Sequence, residues 1–251
     1  MPTVSIITAC SPASVPFIDE LHTSLLNLDM PNGWSWQWCV QDDADGALAG
    51  RPWADDPRIS LGFNDQRRGA AGARNQALLR ATGELVWPVD ADDLVEASGF
   101  AVLLRALESL PGAAGAAGAW YELPFDEARR MRFVPGSTGA KDAGWLRAEI
   151  ERLGTTPFAM NSVLFRREAV LAVGGWPAYP EWEDTILAVT VANHHPGVVT
   201  DEPVGRYRRH PAQTVAQPRF RDPELRARML AFVTSCGRPT ADGPAPPAPR
   251  S

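Results

Sequence analysis

Val4-Ser5-Ile6-Ile7-Thr8-Ala9 is a short β-branched run that ends at Ser11-Pro12, the pattern of a buried strand of the parallel kind. From Pro16 to Leu28, Phe17, Leu21, Leu25 and Leu28 recur at helical spacing, which predicts an amphipathic helix stopped by Pro31-Asn32-Gly33. Trp34 to Val40 reads as a second strand running into Gln41-Asp42-Asp43-Ala44-Asp45-Gly46. A short strand is expected around Ile59–Leu61. It is followed by the Arg/Gly/Asn segment Arg67 to Asn75 and a helix through Ala77, Leu78 and Ala81 that Gly83 closes as its C′ residue. Glu84 to Val89 is a further strand, ending in Asp90-Ala91-Asp92-Asp93. Leu94 to Leu110 reads as a helix, and Pro111 to Gly118 as a loose Gly/Ala segment. This alternation predicts an α/β fold with a mainly parallel sheet flanked by helices. The acidic turns after its strands fall where open α/β sheets bind ligands.

The second half is less periodic. Trp120 to Val134 has room for two strands, and Trp145 to Leu153 for a helix. Phe165 to Val173 has helical character up to Gly174-Gly175. A helix over Glu183–Ala192 carries acidic residues in its first turn, where the dipole favours them. Val198 to Val204 reads as a strand and Pro223 to Val233 as a last helix. Gly237 to Ser251 is Gly, Pro and Ala-rich and is expected to be a disordered tail.

With 251 residues, the chain has room for one to two domains at roughly 150 residues each. At 45% apolar and 22% charged residues the composition is that of a globular protein. The net charge of −6 argues against gripping nucleic acid through positive charge. No apolar run is long enough for a membrane span, and no signal peptide is recognisable. The three cysteines, Cys10, Cys39 and Cys236, form neither a disulfide framework nor a zinc pattern. A cytoplasmic location is the expectation.

Asp90, Asp92 and Asp93 are the sharpest chemical feature. Three carboxylates in four residues repel one another unless a positive group sits among them. Their oxygens suit a hard divalent ion such as Mg²⁺ or Mn²⁺ shared with substrate phosphates. The alternative is a solvated acidic turn in which Asp92 or Asp93 caps the Leu94 helix.

The order of these blocks resembles a family-two, inverting glycosyltransferase of the GT-A fold. Val4–Ala9 is similar to the family's opening strand, Val40–Ala44 to its V-D-D-G-S turn, Gly69–Ala77 to its G-x-x-x-A-R-N-x-G segment, and Val89–Asp93 to its L-D-A-D-D. Gly174-Gly175-Trp176 before Glu181-Trp182-Glu183-Asp184 resembles the acceptor-side G-G-F…E-D motif, and Tyr207-Arg208-Arg209-His210 the closing Y-R-x-H. The resemblance covers about residues 3–215. It implies a nucleotide-sugar-binding half over 1–118 and an acceptor-side half over 119–236, followed by the tail 237–251.

The resemblance also implies roles. Thr8 and Ala9 at the first strand's end, Asp42 or Asp43, Arg74, Asn75, Asp90 and Ala91 would surround the donor. The carboxylate of Asp42 or Asp43 would accept the imide N–H of a uracil-type base. A short Asx turn explains these two residues equally well. Arg74 would reach the diphosphate or ribose; pairing with an aspartate of the acidic turn is its other role. Asp92 would hold the ion, with Asp93 supporting and His210 completing the set, although a lone histidine is more often structural. Asp184, or Glu183 beside it, would be the base that takes the acceptor's proton, unless both merely serve the helix N-terminus. Trp176 and Trp182 would present indole faces to the acceptor, with core packing as the alternative.

The expected activity is metal-dependent, inverting transfer from a nucleotide-diphospho sugar, UDP favoured, to a hydroxyl of a soluble acceptor such as a bacterial cell-surface glycan or a natural product. The rivals are a non-catalytic nucleotide-sugar-binding protein of the same fold, and a nucleotidyltransferase. The latter would want a Gly-rich basic loop that Thr8 to Val15 does not supply. The reading requires the acidic turn near position 90 and the Glu183-Asp184 pair to face one cleft.

Overall fold

The computed structural model describes residues 1–123, 131–132, 137–179, 181–216 and 222–236; the tail 237–251 lies outside them, as does Val134. The chain alternates β1 (Thr3–Cys10), α1 (Ile18–Leu26), β2 (Ser35–Asp42), β3 (Ile59–Phe63), α2 (Gly69–Leu79), β4 (Leu85–Pro88), β5 (Leu94–Val95) and α3 (Gly99–Glu108). It continues through β6 (Gly115–Leu123), β7 (Met131–Arg132), β8 (Gly139–Lys141), α4 (Trp145–Leu153), β9 (Val163–Arg166), α5 (Arg167–Ala172), α6 (Glu183–His194), β10 (Gly197–Arg208) and α7 (Pro223–Ser235).

The strands join one sheet in the order β3-β2-β1-β4-β9-β6-β10-β5, with β7 against β6 and β8 against β10. β3, β2, β1 and β4 run parallel. β9 is antiparallel to both its neighbours, β4 and β6, and β6 and β10 are again parallel to each other. β4 and β6 therefore point the same way, and the carboxyl ends of β1, β2, β4, β6 and β10 share one edge.

Alternation along β1 sorts the core into two layers. Val4 and Ile6 belong to the cluster containing Ile18, Leu21 and Leu25 of α1 and Phe100, Leu103 and Leu107 of α3. Ile7 belongs to the opposite cluster, with Ala77 and Leu78 of α2, Ile150 of α4, Val170 of α5 and Ile186 and Val189 of α6. Helices thus cover both faces, which is why the central strands are nearly continuous apolar runs. Among the described residues no helix is long and apolar enough to cross a membrane.

Several local expectations are corrected. The helix expected from Leu94 begins only at Gly99, because Leu94–Val95 pairs with Arg206 and Gly205 of β10 as an edge strand. Asp92 and Asp93 therefore cap no helix. Of the expected loose Gly/Ala segment only 111–114 is irregular: Gly115 to Gly118 form the first half of β6, hydrogen-bonded on both sides, with Ala116, Ala117 and Ala119 buried. Weak intrinsic strand propensity is overridden there by two-sided pairing. Residues 163–166 are strand rather than helix, and only 167–172 are helical. Gly83 is not the C′ residue of α2, which ends at Leu79 with Arg80 as its cap. Glycine is needed there because a Cβ would come within 2.5 Å of the Thr3 carbonyl oxygen.

Candidate active site

The turn after β2 is self-contained. Asp42 is buried, and its two carboxylate oxygens accept the backbone N–H groups of Ala44 and Leu48, both at 2.7 Å. Asp43, also buried, accepts from Asn64 Nδ2 (2.7 Å) and from the backbone N–H groups of Arg68 (2.7 Å) and Gly69 (3.0 Å). It therefore satisfies orphan donors at the start of α2, as a carboxylate at a helix N-terminus does. Thr8 is fully buried; its hydroxyl donates to the Val89 carbonyl and accepts from the Trp38 indole, each at 2.9 Å. Ala9 is half-buried beside it, and Ala91 is buried in the turn after β4.

Arg74 lies inside α2, on the turn that faces the carboxyl edge of β4. Its guanidinium pairs with Asp90 and Glu183, each at 2.5 Å, and its side chain is 8% exposed. Burial pulls its pKa down, but Asp90, Glu183 and Asp184 more than offset this and keep the cation charged. The pairing that the sequence offered as one role for Arg74 is thus present, and it extends to a second carboxylate from the other half of the chain. Arg74, Asp90 and Asp184 line one cleft with Pro88, Asn161 and Leu187. The acidic turn and the Glu183-Asp184 pair therefore face each other.

Glu183 and Asp184 open α6, preceded by Trp182 in a left-handed conformation at φ +67°. For a bulky residue this costs about 1–2 kcal/mol. Asp184 Oδ1 accepts from the Thr185 backbone N–H (2.5 Å) and hydroxyl (3.2 Å). Burial first, then the Glu183 charge, push the Asp184 carboxyl up to about 7 against the opposing pull of Arg74.

On the other side of Asp90, His210 Nε2 lies 2.8 Å from Asp92 Oδ2. Burial and the Asp90 charge raise the Asp92 carboxyl above its ordinary range, while the His210 contact works the other way. Asp93 is 1% exposed; its Oδ1 accepts the Arg208 backbone N–H at 2.9 Å and its Oδ2 a bond from Asn161 Nδ2. Arg208 also donates from Nε to the Asp92 carbonyl at 2.9 Å and pairs with Glu20 at 2.8 Å. Its guanidinium carbon sits 4.7 Å above the Phe17 ring, which also touches the His210 ring. The neighbouring cations Arg206 and Arg209 pair with Glu96 and Glu122.

A divalent ion that keeps waters and phosphate oxygens needs only one or two protein ligands. The adjacent oxygen of Asp92 and nitrogen of His210 suit such a partial site. Among the described residues no closed cluster of three or more His, Cys, Asp and Glu groups is arranged around a metal position.

Asn75 and Trp176 meet through the backbone: Asn75 Nδ2 donates to the Trp176 carbonyl (2.7 Å) and Asn75 Oδ1 accepts the Trp176 N–H (2.8 Å). The Trp176 side chain is 2% exposed and belongs to the core layer under α2 and α6, whereas Trp182 is half-buried. Asn161 and Gln213 carried no sequence signal, and Phe17 was visible only as the start of the α1 stripe. Asn161 enters the site because the turn before β9 is brought beside β4, Gln213 because it follows β10, and Phe17 because it lies between β1 and α1. Gln213 accepts the His210 backbone N–H at 3.1 Å and donates to the Arg208 carbonyl.

Residues 6–172 match the family model described as Glycosyl transferase family 2. The chain belongs to that family. No curated protein sequence matches this family-2 chain. Among solved structures it is similar to S. aureus TarS 1-349 in complex with UDP-GlcNAc, at 18% identity over 93% of this chain and 66% of that one, with a TM-score of 0.68. It is also similar to TarS 1-349 in complex with UDP, at 20% identity, 84% and 61% coverage and TM-score 0.65. A third is the mannosyltransferase PcManGT from Pyrobaculum calidifontis in complex with GDP-Man and Mn²⁺, at 22% identity, 82% and 56% coverage and TM-score 0.60. The family-2 chain thus spans less than two thirds of each of these structures, and the likeness is one of fold: a mainly parallel GT-A-type sheet between helix layers. Glu183, Asp184 and His210 lie beyond the matched segment.

Proposed function

We propose that the chain is an inverting glycosyltransferase that moves a sugar from a nucleoside-diphospho sugar, UDP favoured, to a hydroxyl of a soluble glycan or natural product in the cytoplasm. The observation that carries this reading is the Arg74 guanidinium, which ties Asp90 of the donor-side turn to Glu183 of the acceptor-side pair within one cleft. Support for the donor class comes from TarS, described with UDP and UDP-GlcNAc, and from the mannosyltransferase described with GDP-Man and Mn²⁺.

In this reading the base lies against the Asp42–Asp43 turn. Asp42 uses two of about four lone-pair sites on backbone N–H groups and retains acceptor capacity for an imide donor. Asp90 orients the ribose or sugar. A divalent ion, Mn²⁺ or Mg²⁺, held by Asp92 and His210 with Asp93 and Arg208 bracing the turn, would supply neutralisation of the charge on the departing diphosphate. Asp184 is the base. Glu183 is held by Arg74, whereas Asp184 Oδ2 takes no hydrogen bond from a described residue, and a pKa near 7 suits a proton acceptor at neutral pH. The acceptor oxygen attacks the anomeric carbon from the face opposite the diphosphate. Asp184 takes its proton, and the bond from the anomeric carbon to the phosphate oxygen breaks.

The test is a thermal-shift panel of UDP-GlcNAc, UDP-Glc, GDP-Man and dTDP-Glc with and without Mn²⁺, followed by release of free nucleoside diphosphate. A Mn²⁺-dependent shift with UDP compounds and slow UDP release are expected, because a ligand of the folded state raises its apparent stability. A shift confined to GDP or dTDP compounds overturns the donor assignment. Binding with no release, in the presence of candidate acceptors, makes the chain a binding protein.

A further inference from the structure

Arg74 and Asn75 are consecutive on α2, and each holds a different acceptor-side element: Arg74 the Glu183 carboxylate, Asn75 the backbone of Trp176. The Asn75 amide offers Trp176 one donor and one acceptor at ladder distances, the pairing that a neighbouring strand would otherwise supply. The approach is close enough to dictate the residues opposite. Gly174 and Gly175 run at φ +85° and +78°, which side chains rarely adopt. A Cβ on Gly175 would overlap Asn75 Oδ1 and reach Leu78 Cδ2 at 3.6 Å. Trp176 in turn lines the cleft that contains Arg74, Asp90 and Asp184.

We propose that Asn75 is a positioning residue for the acceptor-side wall of this cleft, acting through Trp176, and not a ligand of the donor. The inference rests on the glycosyltransferase reading for its effect on turnover but not for its geometry. Each end of the amide is engaged on the loop, which fixes its orientation, so a donor contact would be confined to the second N–H and the remaining lone pair. Displacing the wall leaves the Asp42–Asp43 turn at the end of β2 untouched while misplacing groups around the reacting centre, where about 1 Å costs up to 10²-fold.

The test uses the full chain with Asn75→Ala, which only removes atoms, and Gly175→Ala, which attacks the same contact from the other side. Hydrogen exchange of residues 174–179, the Kd for UDP with Mn²⁺ by calorimetry, and turnover of the best UDP-sugar are measured on both. Expected in both variants are exchange about tenfold faster or more in that segment, a UDP Kd within about twofold of the parent, and turnover lowered about tenfold or more. A merely structural role would lower stability without separating turnover from nucleotide affinity. UDP affinity about tenfold weaker in Asn75→Ala with exchange unchanged would make Asn75 a donor ligand and overturn the proposal. So would parent-like exchange and turnover in either variant. If the parent turns over no nucleotide sugar, the function proposed above fails, while exchange and UDP binding still judge the clamp.

Discussion

Arg74 and Glu183 stand 109 positions apart in sequence and form an ion pair at 2.5 Å. The same guanidinium also pairs with Asp90, so a single cation neutralises the meeting point of two acidic segments that would otherwise repel. A buried cation among carboxylates is worth little by comparison with a well-packed apolar group, but removing one partner leaves the others uncompensated.

Arg74→Met is therefore expected to destabilise the fold by about 3 kcal/mol, the low end of the range for a broken buried pair because Asp90 remains a third exposed. Chemical denaturation at pH 7.5 measures it. The loss should shrink in the double variant Arg74→Met/Glu183→Gln, which removes one stranded charge; with Glu183→Gln alone closing the cycle, a double-variant loss equal to the sum of the two single losses would show that the pair carries no coupling.

The elevated carboxyl of Asp184 sets two opposite pH trends. A base must be ionised, so turnover should climb as pH rises toward about 7 and level off above it. Asp184→Asn should lower turnover by about 10²–10⁴-fold and erase that limb. For stability the sign reverses. Its folded-state pKa is raised, so the folded protein keeps a proton that the unfolded chain releases, and this contribution is lost between the ordinary carboxylate range and about pH 7. Asp184→Asn should therefore melt above the parent at pH 8 and close to it at pH 4. A parent-like turnover profile in Asp184→Asn would remove this residue from the chemistry.

Asp92→Ala should abolish the extra thermal shift that Mn²⁺ adds to UDP, and His210→Ala should reduce it, with nucleotide release falling in the same order. Neither substitution should alter the shift seen with UDP in EDTA. If Asp92→Ala keeps the Mn²⁺-dependent shift, the ion is held elsewhere.

Asp43 caps α2 through Arg68 and Gly69. Asp43→Ala is expected to cost about 1–2 kcal/mol of stability, as other lost helix caps do. Measured by denaturation beside calorimetry with UDP, this variant separates a cap from a base reader: affinity unchanged assigns the base to Asp42, affinity lost assigns it to Asp43.

Much of the donor side was legible in the chain because the relevant residues follow buried strands directly. Val89 leads into Asp90–Asp93, and Val40 into Asp42–Asp43, so period and composition alone bring them to the carboxyl edge. The helix over Trp145–Leu153 was readable to the residue because its apolar stripe and Gly154 stop are local. The failures were non-local. Leu94-Val95 looks helical by pattern, and only the approach of β10 makes it a strand. Ala116 and Ala117 look like linker, and only pairing on both sides makes them core. Asn161, Phe17 and Gln213 reach the site across the fold, and no spacing announces that. Asn75 was visible as part of a motif, yet its partner, a backbone segment about a hundred residues away, was not.

The sheet order carries a lesson for engineering. The boundary suggested at 118 falls within β6, and β9, from the later half, is wedged between β4 and β6. Cutting the chain there would bare the flank of β4 at Leu85 and Val86, which β9 pairs, an edge prone to sticking to other chains. Hybrids that graft a new acceptor half onto this donor half should therefore carry β6, β9 and β10 together, with one seam in the turn that follows α3 and the other beyond the end of β10.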